Sequence, residues 1–146
     1  MSEFPYHQSL RLQNFTAFQD TTFAFVPGIN VLVGENGTGK THVLKVLYAW
    51  QMANHLSAGT TLGEIIKLFI ETYSVKNIID ICRNSNQNTS VAGKLGDSQW
   101  DIDIQPNGGA SGSLPDLKPL RPDKSQLSLF RPFYNASLIF DKLTMP

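Results

Sequence analysis

The alternation of apolar and polar positions divides the first part of the chain into short strands. Ser9 to Asn14 sets Leu10 and Leu12 on one face and Arg11 and Gln13 on the other, which predicts a half-buried strand. Asn14-Phe15-Thr16-Ala17-Phe18 breaks the alternation and reads as a turn. Alternation resumes from Thr22 to Val26 through Phe23 and Phe25, and stops at the turn pair Pro27-Gly28. Ile29 to Val33 is then an apolar, β-branched run interrupted only by Asn30. That pattern predicts a strand buried on both faces of a sheet.

The period lengthens after Lys40. Val43, Val46, Leu47, Trp50 and Ala53 fall on one face of a helix expected to run to about His55, with Tyr48 and Trp50 read as core or near-core aromatics. Ser57-Ala58-Gly59-Thr60 is a loop. Thr61-Leu62-Gly63-Glu64 fits a capping box that opens a second helix carrying Ile65, Ile66, Leu68, Phe69 and Ile70. A third, short helix is expected over Val75 to Arg83, with Ile78, Ile79 and Cys82 inward. Past the polar break Asn84 to Asn88, Thr89–Leu95 and Gln99–Gln105 read as a hairpin closed around Gly96-Asp97. Asp101 and Asp103 share its wet face, a spacing that fits solvation better than a metal site. Pro106 to Ser113 and the proline-dotted stretch to Pro132 predict a long, weakly structured segment in which Gly108-Gly109-Ala110-Ser111-Gly112 is loop. Ser137 to Phe140 is expected as a last short strand.

Composition narrows the class. The chain has 146 residues, room for one modest domain, and its 12 basic and 12 acidic side chains cancel. No overall field therefore draws it to nucleic acid or to a membrane surface. No apolar run reaches the roughly 20 residues of a membrane span, and Met1-Ser2-Glu3-Phe4-Pro5 has no signal-peptide character. The single cysteine, Cys82, reads as a small buried hydrophobe, and a reducing, cytoplasmic setting is the expectation.

Candidate chemistry is concentrated in Gly34-Glu35-Asn36-Gly37-Thr38-Gly39-Lys40-Thr41. This stretch fits the phosphate-loop pattern G-x-x-x-x-G-K-[ST] at every fixed position, between a predicted strand and a predicted helix. Glycines at 34, 37 and 39 are expected to take positive φ and bring bare N–H groups to phosphate oxygens. The helix start adds unpaired N–H groups and the positive end of its dipole. Lys40 would place its charge on the β- and γ-phosphates, and the Thr41 hydroxyl would ligate Mg²⁺. The expected ligand is therefore a nucleoside triphosphate with Mg²⁺. An Asn-Lys-x-Asp guanine motif is absent, which speaks against a GTPase. Antiparallel strands ahead of the loop speak against a small-molecule kinase.

The stretch from Leu10 to Phe18, followed by Phe23 to Thr41, resembles the start of the head domain of SMC/RecF/Sbc-type ABC ATPases, catalogued among AAA family ATPases. The resemblance implies an α/β fold: the N-terminal lobe of a P-loop NTPase, with a mixed sheet, antiparallel β-hairpins and a P-loop helix. Residues 1–146 would then be one partial lobe. Strands, loop and first helix would occupy 1–56, helices and a hairpin 57–105, a flexible segment 106–135 and a terminal strand 136–146. It further implies that Asn14 and Phe15 approach the base and ribose and that His42 lies near the α-phosphate. Hydrolysis in such heads needs a Ser-Gly-Gly signature and an Asp-Glu pair from a C-terminal lobe, with a second head facing the phosphate loop. Here Leu138-Ile139-Phe140-Asp141 offers only a weak candidate, since Lys142 replaces the glutamate. The expectation is ATP binding, with turnover dependent on a completing lobe or partner; the alternative is a nucleotide-binding module without turnover. A link to DNA repair, maintenance or defence, and any DNA contact, is implied by the resemblance alone. Lys118, Arg121, Lys124 and Arg131 are no denser than on an ordinary surface.

Overall fold

Residues 6–56 and 60–115 are described by a computed structural model. The alternating pattern around Leu10 and Leu12 becomes strand β1 (His7–Phe15), which turns through Thr16 and Ala17 into β2 (Phe18–Ala24). Asn14 and Thr16 hold φ of 52° and 47° there, and the Thr16 N–H donates to Ile81 O at 2.8 Å. The two helices follow: α1 (Lys40–Leu56) and α2 (Leu62–Tyr73). Strands β3 (Thr89–Leu95), β4 (Ser98–Ile104) and β5 (Ala110–Ser113) complete an antiparallel sheet in the order β2-β1-β3-β4-β5.

The start of α2 is set locally. Thr61 accepts from the Glu64 N–H through its hydroxyl, and the Glu64 carboxylate accepts from the Thr61 N–H at 2.7 Å, so both orphan donors are satisfied. Those bonds hold the Glu64 carboxyl below its usual range. The helix ends where Ser74 adopts φ 55° and its N–H caps the last turn.

One face of the sheet carries the core. Leu10, Leu12, Val91, Trp100, Ile102 and Ile104 are buried against Val43, Val46, Ala49, Trp50 and Ala53 of α1 and Ile65 and Phe69 of α2. Trp50 and Trp100 stack at 3.9 Å between ring centroids, 13° from parallel. Gly93 makes room for the pair, because a Cβ there would sit 2.5 Å from Trp100 Cζ2. The opposite face is polar. Arg11 grips Asp20 across the strands through Nε at 3.0 Å and a terminal nitrogen at 2.7 Å, an exposed pair of modest energetic weight.

Four expectations are corrected here. The sheet, expected to be mixed, is antiparallel at every described strand pair. Ile29 to Val33 forms no strand among the described residues: Val26, Ile29, Val31 and Val33 are 61%, 90%, 74% and 89% exposed. Among the described residues no strand offers the run a ladder. Val26 instead pairs with the Asn30 side chain, at 3.0 Å from its N–H to Oδ1 and 2.8 Å from Nδ2 to its carbonyl. The third helix is a single 3-10 turn, Ile78–Ile81, whose three-residue period turns Ile78 and Ile81 inward and leaves Ile79 and Cys82 half-buried. Ala110–Ser113, read as loop, is strand β5. Asn107 and Gly108 close a turn through Gly108 N–H to Gln105 O at 2.9 Å and Gly109 N–H to Asn107 Oδ1 at 2.8 Å. Gly112 then lets β5 approach β4, since a Cβ at that position would collide with the Asp101 carbonyl. The expected strand at Ser137–Phe140, together with Asp141, Lys118, Arg121, Lys124 and Arg131, falls outside the described residues.

Candidate nucleotide site

The glycine loop closes on itself ahead of α1. Gly37 and Gly39 take φ of 83° and 94°, the left-handed region that a side chain disfavours. Gly34 does not, contrary to expectation; there the constraint is space, because a Cβ would lie 2.9 Å from Thr38 Oγ1. The Thr38 hydroxyl donates to Glu35 O at 2.9 Å and staples the loop. Helix α1 begins at Lys40, and the first helical bond runs from the Val43 N–H to Gly39 O at 3.1 Å. The N–H groups of residues 39–42 therefore precede any intrahelical acceptor, at the positive end of the helix dipole.

Lys40 folds back over this loop. Its ammonium donates to Gly34 O at 2.7 Å and Glu35 O at 2.5 Å, with Thr38 Oγ1 at 3.4 Å. Carbonyl and hydroxyl oxygens thus stand in for the anionic oxygens a lysine in such a loop can meet. The cation is held against the loop rather than extended away from it. Asn36 and Gly37 form the exposed tip, and Thr41 is exposed on the first turn of α1 beside Lys40.

The other predicted residues are placed elsewhere. Phe15 is fully buried, with Phe69 at 6.4 Å and Tyr73 at 5.7 Å between ring centroids, both edge-on. Asn14 is 7% exposed and engaged with the segment before β3. Its Nδ2 faces Asn84 O at 2.8 Å, Gln87 O at 3.1 Å and Thr89 Oγ1 at 3.1 Å, while its Oδ1 accepts from the Asn84 N–H at 2.9 Å. His42 turns towards α2: its ring lies 5.5 Å from that of Tyr73 and 4° from parallel. Burial, and then the Lys45 charge, hold the His42 imidazole below its usual pKa. The structure thus brings Gly34, Glu35, Thr38, Gly39 and Lys40 together and sets Asn14, Phe15 and the His42 ring apart from them.

Residues that sequence reasoning missed complete the surroundings. A Cβ on Gly39 would lie 2.5 Å from Phe18 Cζ and 3.2 Å from Ala17 Cβ, so the β1–β2 turn packs directly on the loop's last glycine. Arg83 donates to Ala17 O at 2.8 Å and pins that turn. The Tyr73 hydroxyl donates to His42 O at 2.6 Å. Phe18 was within reach of the pattern, as the aromatic closing the turn, and Tyr73 as the next inward position after Ile65 and Phe69. Asp101 and Asp103 join no metal-binding cluster: among the described residues no three His, Cys, Asp or Glu side chains gather in a way that could hold an ion.

An antiparallel sheet backed by two helices, with a glycine loop opening into the first of them, defines a mixed α/β unit of the kind found in ATPase domains. Residues 9–107 match the family described as AAA domain, and the chain belongs to that family. Its relatives include proteins described as DNA replication and repair protein RecF. That of Francisella tularensis subsp. mediasiatica is 30% identical over 110 residues, covering 70% of this chain and 29% of the relative. Those of Limosilactobacillus reuteri and Ligilactobacillus salivarius are 34% identical over 79 residues and 42% over 48, covering 21% and 13% of the relatives. The chain therefore spans less than a third of the length of these relatives.

Proposed function

We propose that Gly34 to Thr41 binds Mg-ATP. One observation carries this reading: a lysine ammonium held over a loop of positive-φ glycines at a helix start. The free N–H groups of 39–42 would take β- and γ-phosphate oxygens, and Lys40 would exchange its two carbonyl partners for them. The residues fit the metal as well, since Thr41 is exposed one position past Lys40, where its hydroxyl would be a ligand. Mg²⁺ held there would supply neutralisation of the phosphates' negative charge. Phe18 and Ala17, rather than Asn14 and Phe15, are the residues of the β1–β2 turn that face the loop. The test is binding of a fluorescent ATP analogue. Affinity is expected to depend on Mg²⁺ and to collapse in Lys40→Ala; equal affinity in that variant refutes the assignment.

We further infer that residues 1–146 act as one partial lobe of a DNA-linked ATPase, in the cytoplasm, with turnover completed by a C-terminal lobe or a second head. The exposed run of Ile29, Val31 and Val33 supports this, because it precedes the glycine loop and has no strand beside it among the described residues. No described helix is long and apolar enough to cross a membrane. The second reading, a nucleotide-binding module without turnover, is favoured by the same uncovered run if nothing ever pairs with it. Phosphate release separates the two: turnover by the purified chain, lost in Lys40→Ala, sinks the binding-only reading. A link to DNA rests on the relatives' descriptions as DNA replication and repair proteins.

A further inference from the structure

We infer that Tyr73 is a positioning residue for the glycine loop, fixing the first turn of α1 so that its N–H groups and Lys40 meet a phosphate chain; this rests on the nucleotide-binding reading above. Tyr73 ends α2, yet its hydroxyl reaches across to α1 and donates to His42 O at 2.6 Å, two residues past Lys40. Burial pushes the phenol's pKa up, so the group stays a donor at any ordinary pH. The ring is held on several sides. His42 stacks parallel to it at 5.5 Å, Lys45 Nζ lies 5.2 Å from its centroid, and Phe15 meets it edge-on at 5.7 Å.

Phe15 links this contact to the glycine loop by a second route. It is the last residue of β1, and the turn that follows it delivers Phe18 against Gly39. The start of α1 is thus gripped at Gly39 by the β1–β2 turn and at His42 by Tyr73. Apolar packing alone lets a helix slide or rotate slightly against its neighbours. A short hydrogen bond to one carbonyl of the first turn fixes where that turn's N–H groups aim. Aim matters here, because small misplacements of oriented donors carry large penalties at a charged ligand.

The test uses the full 146-residue chain. Wild type, Tyr73→Phe, Ile65→Val and Lys40→Ala are titrated with a fluorescent ATP analogue, with Mg²⁺ and then with EDTA. Tyr73→Phe keeps the ring and removes only the donor, and Ile65→Val trims the buried side of the same helix near its other end. We expect Tyr73→Phe to bind about fivefold more weakly with Mg²⁺, the weight of one hydrogen bond, and its gain in affinity on adding Mg²⁺ to shrink. Ile65→Val is expected to match wild type in both. Wild-type binding by Tyr73→Phe, or an equal loss in Ile65→Val, overturns the inference while Lys40→Ala still loses binding. Unchanged binding by Lys40→Ala overturns the nucleotide reading itself, and this inference with it. Should Tyr73→Phe fold poorly, amide exchange at Val43 to Val46 in the nucleotide-free wild type is read instead: slow exchange is expected of a turn already fixed, and exchange as fast as in a frayed helix end overturns the inference.

Discussion

Replacing Asn14 by aspartate tests how the β1–β2 turn is held. Asn14→Asp keeps the size of the side chain, tolerance of the positive φ of 52°, and the oxygen that accepts from the Asn84 N–H. It changes one atom's role. Where Nδ2 now faces the carbonyls of Asn84, Gln87 and Asn88 at 2.8, 3.1 and 3.3 Å, a carboxylate oxygen would meet three acceptors. The amide orientation is fixed by chemistry, because a backbone N–H can donate only to the oxygen end. Nδ2 carries two protons, so two good hydrogen bonds to part-buried backbone acceptors are lost, at about 1–1.5 kcal/mol each. Adding the cost of an unpaired buried charge, the loss is about 3–5 kcal/mol at neutral pH, a large part of a typical domain's 5–15 kcal/mol. The sign of the pH dependence follows. The introduced carboxyl has its pKa raised in the folded state, so destabilisation relative to wild type is greatest above that pKa and eases as pH falls through it. Urea unfolding of both proteins, followed by tryptophan fluorescence at pH 7.5 and 5.5, reads the difference directly. A variant within 1 kcal/mol of wild type at pH 7.5 would mean that Asn14 is not tied to the 84–89 segment at all.

Gly93→Ala should push Trp100 off Trp50, since the new Cβ would sit 2.5 Å from Cζ2; about 1–3 kcal/mol of stability and the near-ultraviolet signature of the stacked pair should go together. Unchanged near-ultraviolet circular dichroism would refute the stack. Burial holds the His7 imidazole down at about 4, and neither ring nitrogen has a partner. The unfolded chain therefore takes up the proton first: stability is intact above about pH 6.5 and falls by about 3 kcal/mol as pH drops towards 4, with no further loss from this residue below. His7→Phe should flatten that slope in urea midpoints; a wild-type midpoint that is level across this range counts against the buried histidine.

The elements that were legible in the sequence are those whose cause is local. The Thr61-to-Glu64 box set the start of α2, the inward stripe from Val43 to Ala53 traced α1, and Gly96-Asp97 placed the β3–β4 hairpin, with Leu95 opposite Ser98. What escaped depended on distant partners. Ile29 to Val33 has every local feature of a buried strand, but a strand exists only through a neighbour. Strand β5 has the opposite problem, since Ala110, Ser111, Gly112 and Ser113 carry no β preference and pair with β4 because the turn at Asn107-Gly108 puts them there. The glycine loop was readable from spacing alone. Its surroundings were not, because Phe18 reaches Gly39 and Tyr73 reaches His42, just past the loop, from elements distant in sequence. Asn14 and Phe15 sit at the right place in the chain, yet their side chains point into the protein.

The exposed side chains of Ile29, Val31 and Val33 also bear on how this polypeptide behaves as a material. They stand at alternate positions with no charged residue between them, a combination that invites sheets to grow from one molecule to the next. Breaking that ribbon with a charge, as in Val31→Lys, is expected to raise soluble yield and tolerance of concentration.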